Sequence, residues 1–232
     1  MRILMVVATK EEVAPLISEF GISISESGGD ENVNDSVPPF DCKLQTANCQ
    51  LLITGVGMVA TAFALGKHLS SYKYDLVVNL GIAGSFDRSV ALGDVVEITE
   101  DTLAELGAED DTRFLPIADM GFGETTFHPS KKLADLYNLF NTFNLKQATA
   151  ITVNTVHGNE DSIKKVIERF YPQIESMEGA AFFYACTQFN VPCLQIRAVS
   201  NYVEKRNRDN WNIGLAIKNL NTFAVEFLKL YS

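Results

Sequence analysis

Apolar residues arrive in two rhythms along this chain. Runs rich in Val, Ile and Leu, at RILMVVA near 2–8, QLLITGV near 50–56, DLVVNLG near 75–81 and CLQIRAV near 193–199, lack polar alternation and predict buried strands. Between them, EEVAPLISEF, MVATAFALGKHL, EGAAFFYACTQF and the closing IGLAIKNLNTFAVEFLKLY repeat apolar residues at helical spacing. Strands alternating with helices predict a mainly parallel sheet covered on both faces. Further strands near 42–47, 93–99 and 148–153 make that sheet larger than a minimal Rossmann half. The polar stretch 23–39, SISESGGDENVNDSVPP, is rich in Gly, Ser, Asp and Pro and is expected to be a surface loop.

Composition narrows the function classes. A chain of 232 residues that is 47% hydrophobic can bury one full core, and no linker or repeat divides it. Its formal net charge of -10 and lack of any long Lys/Arg run exclude a nucleic-acid partner and an anionic membrane surface. No run approaches the roughly 18 apolar residues of a spanning helix, and the first residues show no cleavage site, so a soluble, cytoplasmic protein is expected. The four cysteines, Cys42, Cys49, Cys186 and Cys193, lack CxxC spacing and sit among apolar neighbours, as small buried hydrophobes do in a reducing compartment. His68, His128 and His157 form neither HExxH nor HxH, so no metal is expected.

In an open parallel sheet a ligand lies beyond the carboxyl ends of the strands. The junctions there are 8–12 (ATKEE), 55–57 (GVG), 79–84 (NLGIAG) and 197–201 (RAVSN), with the helix-opening segment 175–181 (ESMEGAA). Each has an ordinary structural explanation. Thr9 to Glu12 reads T-x-x-E, a capping box. Ser176 can cap a helix, and Glu178 can complement its dipole. Arg197 can be an ion-pair partner, and Asn201 a turn residue. Gly55, Gly57 and Ala60 match a dinucleotide fingerprint, but the next strand offers Asn79 and a second glycine loop where an acidic ribose ligand is needed.

Taken together, ATKEEVAPL, ITGVGMVATAFALG, NLGIAGSFDRSVALGDVV and ESMEGAAFFYACTQFNVPCLQIRAVSN resemble the nucleoside phosphorylase and nucleosidase superfamily, above all its methylthioadenosine/S-adenosylhomocysteine nucleosidases and futalosine hydrolases. The resemblance implies an α/β fold: a single three-layer αβα domain over 1–232, with a mainly parallel, twisted, mixed central sheet. It also implies a purine nucleoside as substrate, no cofactor, and a homo-oligomer with a dimer foremost. By resemblance Glu12 activates water, Glu178 accepts from the ribose hydroxyls and Met177 packs on the ribose face. The loop of Gly81, Ile82 and Ala83 approaches the substrate, and Arg197 orients Glu12 or Glu178, or holds the loop bearing Asn201.

Cleaving a purine from ribose requires a placed water, a stabilised sugar cation and help for the leaving base. Glu11 and Glu12 repel phosphate, which favours hydrolysis over phosphorolysis. Adenosine-type nucleosidases carry an acid where this chain has Asn201; an amide cannot donate as an acid, but its NH2 can face O6 of a 6-oxopurine. The stretch 202–213, YVEKRNRDNWNI, also looks like futalosine hydrolases. Its Arg206 and Arg208 are candidates to meet the carboxylate of futalosine's tail, with Trp211 stacking on the ring or stapling the last helix. The expected reaction is thus futalosine hydrolysis in menaquinone biosynthesis. The alternatives are a methylthioadenosine/S-adenosylhomocysteine nucleosidase, a purine nucleoside phosphorylase and a nucleoside-binding protein without turnover.

Overall fold

Strand β1 (Ile3–Val7) is buried at every position, because its two faces serve two helical layers. Ile3, Met5 and Val7 join one core cluster, with Leu220, Phe223 and Phe227 of the last helix; Leu4 and Val6 join the other, with Leu65, Leu69, Phe182 and Phe183. The computed structural model describes residues 1–20, 40–43, 49–130 and 143–230. The loop expected at 23–39 and the second half of the strand expected near 42–47 lie outside the described residues.

After β1 a single 3-10 turn (Glu11–Val13) leads into the short helix α1 (Ala14–Glu19). Strand β2 (Phe40–Lys43) runs antiparallel to β3 (Cys49–Ile53), and helix α2 (Met58–Ser71) follows. Strands β4 (Leu76–Ser85), β5 (Val95–Leu103), a hairpin of β6 (Gly107–Asp110) and β7 (Arg113–Pro116), β8 (Thr126–Phe127) and β9 (Lys146–Thr152) come next. Helix α3 (Glu160–Phe170), strand β10 (Ile174–Ser176), helix α4 (Gly179–Gln188), strand β11 (Cys193–Tyr202) and helix α5 (Ile213–Lys229) complete the described chain.

Among the described residues these strands form one nine-stranded mixed sheet and the separate hairpin. β1 pairs in parallel with β3 and β4, and β4 pairs in parallel with β11, as the alternation of strands and helices predicts. The sheet is not open, however. β11 continues antiparallel to β5, β5 parallel to β9, and β9 parallel to β10. β10 then returns antiparallel to β4, through Ile174 with Ser85 and Glu175 with Gly84. Half of the sheet thereby closes on itself. Closure depends on a three-residue strand and two register shifts, neither of which leaves a periodic signal.

The α/β class and the four principal strands match the sequence reading. Helix α3 was not among the expected helices. Its capping signal is present at Asn159, whose side chain accepts from the backbone N–H of Asp161 and Ser162, but only Val166 is buried. The apolar period is present as well, in Ile163, Val166, Ile167 and Phe170, so this helix is legible in the sequence, whereas the hairpin, turned at Asp111 with φ 54, is too short for a periodic signal.

Candidate active site

A cavity of about 290 Å³ opens at the carboxyl ends of β1, β4 and β11, where β10 pairs with the last two residues of β4. Its wall includes Glu12, Ile82, Ala83, Met177, Glu178, Asn201 and Arg206, so most of the residues singled out in the sequence meet in one place. Gly81, Arg197 and Arg208 do not line it.

Glu12 is 8% exposed and held from both sides. Its Oε2 accepts from the Thr9 backbone N–H at 3.0 Å, and its Oε1 from Ile82 N–H at 3.0 Å. The first bond is the back-reaching half of the expected capping box, although Lys10 rather than Thr9 stands at the cap. Burial pushes the Glu12 carboxyl above its ordinary value; the Ile82 hydrogen bond and Arg197 oppose this, and the charge of Glu178 adds to it. A carboxylate so placed is a stronger base than one in water; Oε2 also accepts from Thr9 Oγ1 at 3.4 Å, while Oε1 keeps a further lone pair. The turn is anchored from behind by Asn221 of α5, which donates to the Glu12 carbonyl at 2.8 Å and accepts from Leu16 N–H at 3.0 Å.

Glu178 stands at the start of α4, but its side chain does not cap that helix. Oε1 accepts from Gly57 N–H at 3.0 Å and Oε2 lies 3.6 Å from Arg197 Nη1. Gly57 has φ 95, a conformation that favours glycine, and its amide serves a carboxylate, so the glycine pair is not acting as a dinucleotide cradle. Ser176 ends β10, and its Oγ accepts from Gly179 N–H at 3.3 Å, which retains part of the expected capping role.

Arg197 is 1% exposed and lies behind the wall, so it positions rather than contacts. Its Nη2 donates to Asn79 Oδ1 at 2.6 Å and its Nε to Gln195 Oε1 at 3.0 Å. Of the roles suggested by its place in the sequence, the pairing with Glu178 is present. Gly81 explains how it fits: a Cβ there would fall 2.1 Å from Arg197 Nη1 and 3.2 Å from Glu12 Oε1. The glycine is required for the guanidinium to pass, not for contact with the cavity. Behind Arg197, Gln195 donates to Asp101 Oδ2 at 3.1 Å, and Asp101 Oδ1 accepts from Thr152 at 2.8 Å. Burial raises the Asp101 carboxyl to about 7.

Asn201 lies beside Gly84 in the register of β11 on β4. Its Oδ1 accepts from Ser200 Oγ at 2.9 Å and its Nδ2 donates to Tyr202 O at 3.1 Å, leaving one amide hydrogen and one lone pair. Arg206 lines the cavity with its guanidinium 5.0 Å from the centre of the Trp211 ring, and Trp211 also lines the wall. Arg208 sits 5.7 Å from the same ring without reaching the cavity, because the 3-10 turn Arg208–Asn210 carries it past the rim. Arg88, the basic residue near the glycine loop, is paired with Glu204 and lies over Tyr202.

Two ionisable cavity residues, Glu175 and His157, were not among the expected site residues. Glu175 is buried on β10 and accepts from the His157 backbone N–H at 2.9 Å and pairs with His157 Nδ1. The hydrogen bond to Glu175 holds the His157 ring above its ordinary value. Glu175 was visible as the first residue of ESMEGAA, but nothing in the order of residues brings the loop after β9 onto it. Among the described residues no group of His, Cys, Asp and Glu is arranged to hold a metal ion, and no helix is long and apolar enough to cross a membrane.

Comparison with known proteins agrees with this geometry. The profile of the phosphorylase superfamily matches residues 2–230. A futalosine hydrolase of Streptomyces coelicolor is 37% identical over 173 residues, covering 72% of this chain and 73% of that protein. Among solved structures, a 5'-methylthioadenosine/S-adenosylhomocysteine nucleosidase of Helicobacter pylori superposes with a TM-score of 0.80 at 17% identity, covering 99% of this chain and 98% of the other. A futalosine hydrolase of Helicobacter pylori does so with a TM-score of 0.78 at 18% identity, covering 99% and 96%. These two likenesses establish the fold.

Proposed function

Because the chain belongs to the phosphorylase superfamily, we propose that it works as a futalosine hydrolase, releasing hypoxanthine by cleavage of the N-glycosidic bond. The observation that carries this reading is the pair of buried carboxylates, Glu12 and Glu178, presented to one cavity with Arg197 hidden behind them. Two carboxylates and a covered guanidinium leave no cationic cradle for phosphate at that point, whereas they suit a water nucleophile and a cationic sugar.

Glu12 takes a proton from water as that water attacks the anomeric carbon, while the bond to the purine breaks and its electron pair leaves with the base. Glu178, steadied by Gly57 N–H and Arg197, accepts from the ribose hydroxyls and offsets the developing positive charge. Met177 covers the ribose face, and the backbone at Ile82 and Ala83 closes on the sugar. Asn201 turns its remaining amide hydrogen to the base. Arg206, held against Trp211, meets the tail carboxylate, with Arg208 supporting that ring from outside. None of these steps calls for a metal or cofactor.

We place the reaction in menaquinone biosynthesis and in the cytoplasm, the whole of 1–232 acting as one domain; the free, buried Cys49, Cys186 and Cys193 suit a reducing compartment. We also propose a homodimer. Val59 and Phe63, one turn apart on α2, are 79% and 70% exposed, and Val56 beside them lines the cavity. An apolar stripe at the rim of a site is a natural subunit contact.

Chromatography of the products from futalosine, aminofutalosine, methylthioadenosine and inosine, each with and without phosphate, tests the assignment. Free hypoxanthine and an unphosphorylated sugar from futalosine, independent of phosphate, are expected. A sugar 1-phosphate would make the protein a phosphorylase, and turnover confined to methylthioadenosine would make it an adenine-releasing nucleosidase.

A further inference from the structure

The cavity holds a third buried carboxylate, Glu175, whose partner has no part in the chemistry above. Glu175 binds His157 twice, at the backbone N–H and at ring Nδ1, which fixes both the loop and the plane of the imidazole. The other ring nitrogen, Nε2, has no hydrogen-bond partner among the described residues, and the side chain lines the cavity. The ring packs against the edge of Phe86 with centroids 6.4 Å apart.

Register places this pair at the same level as Asn201. Gly84 of β4 is matched with Glu175 of β10 on one side and with Asn201 of β11 on the other. The His157–Glu175 pair and the Asn201 amide therefore stand on either side of Gly84, where a Cβ would meet Val203 Cγ2 at 2.9 Å and Asn201 Nδ2 at 3.2 Å. His157, Glu175, Asn201 and Gly84 all line the cavity that the edge of a flat base can enter. Asn201 is already engaged by Ser200 and by the Tyr202 carbonyl, so its remaining donor is a single neutral N–H.

We infer that His157, held by Glu175, selects a 6-oxopurine, its Nε2–H donating to the exocyclic oxygen at position 6. The inference rests on the purine-nucleosidase reading of the cavity. When the glycosidic bond breaks, both electrons stay with the purine and spread onto that oxygen, so a charge-assisted donor strengthens as the base departs. No proton need be transferred. A 6-amino group would instead set N–H against N–H. Glu175 keeps Nδ1 protonated, so loss of the ring's second proton must come from Nε2, which then becomes an acceptor suited to an amino group.

This makes the preference sensitive to pH. The charged groups around the ring are Glu175 on β10, Glu105 in the turn after β5 and Arg206, whose backbone N–H bonds Gly158 in the loop carrying His157. Glu175 is the main reason the ring stays protonated above its ordinary range, with burial opposing it and Glu105 adding a smaller favourable effect.

The test is the ratio of kcat/KM for futalosine to that for aminofutalosine, which share sugar and tail, measured across the neutral range. Protonation of Glu12 acts on both substrates and cancels in the ratio. In the unaltered enzyme the ratio should fall as pH rises through the raised histidine value. Glu175→Gln should move that fall to lower pH. His157→Phe should lower the ratio about ten-fold or more and remove its pH dependence. A preference that is flat with pH in the unaltered enzyme, or that survives His157→Phe in a folded protein, overturns the inference while leaving the hydrolase reading standing. An unaltered enzyme that releases base from neither nucleoside overturns both.

Discussion

At the scale of single residues, Glu12 has the most exacting position. Both of its oxygens accept from backbone amides, so an isosteric Gln can satisfy only one of Thr9 N–H and Ile82 N–H and must turn its NH2 toward the other. Glu12→Gln is therefore expected to fold but to melt lower, since a buried unpaired amide costs about 1–3 kcal/mol. Its kcat should fall by roughly 10²–10⁴ through loss of the base. Calorimetry and base release on the same preparation check both effects, and near-normal turnover would remove Glu12 from the chemistry. Burial raises its carboxyl, so the base form is lost as pH falls through a value above the ordinary carboxylate range. The acid limb of kcat/KM should accordingly lie higher than for an exposed Glu, and should disappear in the variant.

Among elements, the closing helix does more than cover the sheet. Leu16 lies in the first turn of α1, where helix geometry leaves its N–H without a partner in the helix, and Asn221 of α5 supplies one. The same amide holds the Glu12 carbonyl, so the helix most remote in sequence fixes the turn that presents this carboxylate to the cavity. Asn221→Ala strands both backbone groups and is expected to cost about 1–3 kcal/mol for each that stays dry. If α5 positions Glu12, kcat should drop while KM for futalosine stays within a few-fold. An unchanged kcat with a lowered Tm would assign Asn221 to stability alone.

On the scale of the whole molecule, the Asp101–Gln195–Arg197 chain ties the closed half of the sheet to the site. Burial raises Asp101 from 3.8 to about 7, so the folded state holds its proton where the unfolded chain releases it. This contribution to stability is complete below the unfolded value and is lost as pH rises through the folded one. The Tm of the unaltered protein minus that of Asp101→Asn should therefore decrease from about pH 4 to pH 7 and level off above. A difference that is flat over that window would mean the carboxyl is ionised throughout. The subunit contact proposed for α2 is checked by Phe63→Lys, which should shift the light-scattering mass from dimer to monomer and weaken nucleoside binding through Val56. A dimer that persists would place the contact elsewhere.

The order of residues determined the class of fold, the principal strands and most of the helices, because burial on one or both faces imposes a period that any reader of the chain can count. It also determined which residues to suspect, since Glu12, Glu178 and Asn201 follow strands or open a helix, where a sheet delivers side chains to a ligand. Tertiary structure alone decided how they divide the work. The Glu12 carboxylate serves its own turn and faces the cavity at once, whereas that of Glu178 leaves its helix uncapped, a distinction set by the Ile82 and Gly57 amides arriving from other parts of the chain. Arg197 and Gly81 pass from contact to support because the guanidinium occupies the space a side chain would take. The closure of β10 onto β4 and the meeting of His157 with Glu175 were silent in the sequence, since a three-residue strand has no period and a hydrogen bond between residues on separate elements leaves no local trace. Local pattern records what each segment must bury; which buried groups face one another is settled only when the segments pack.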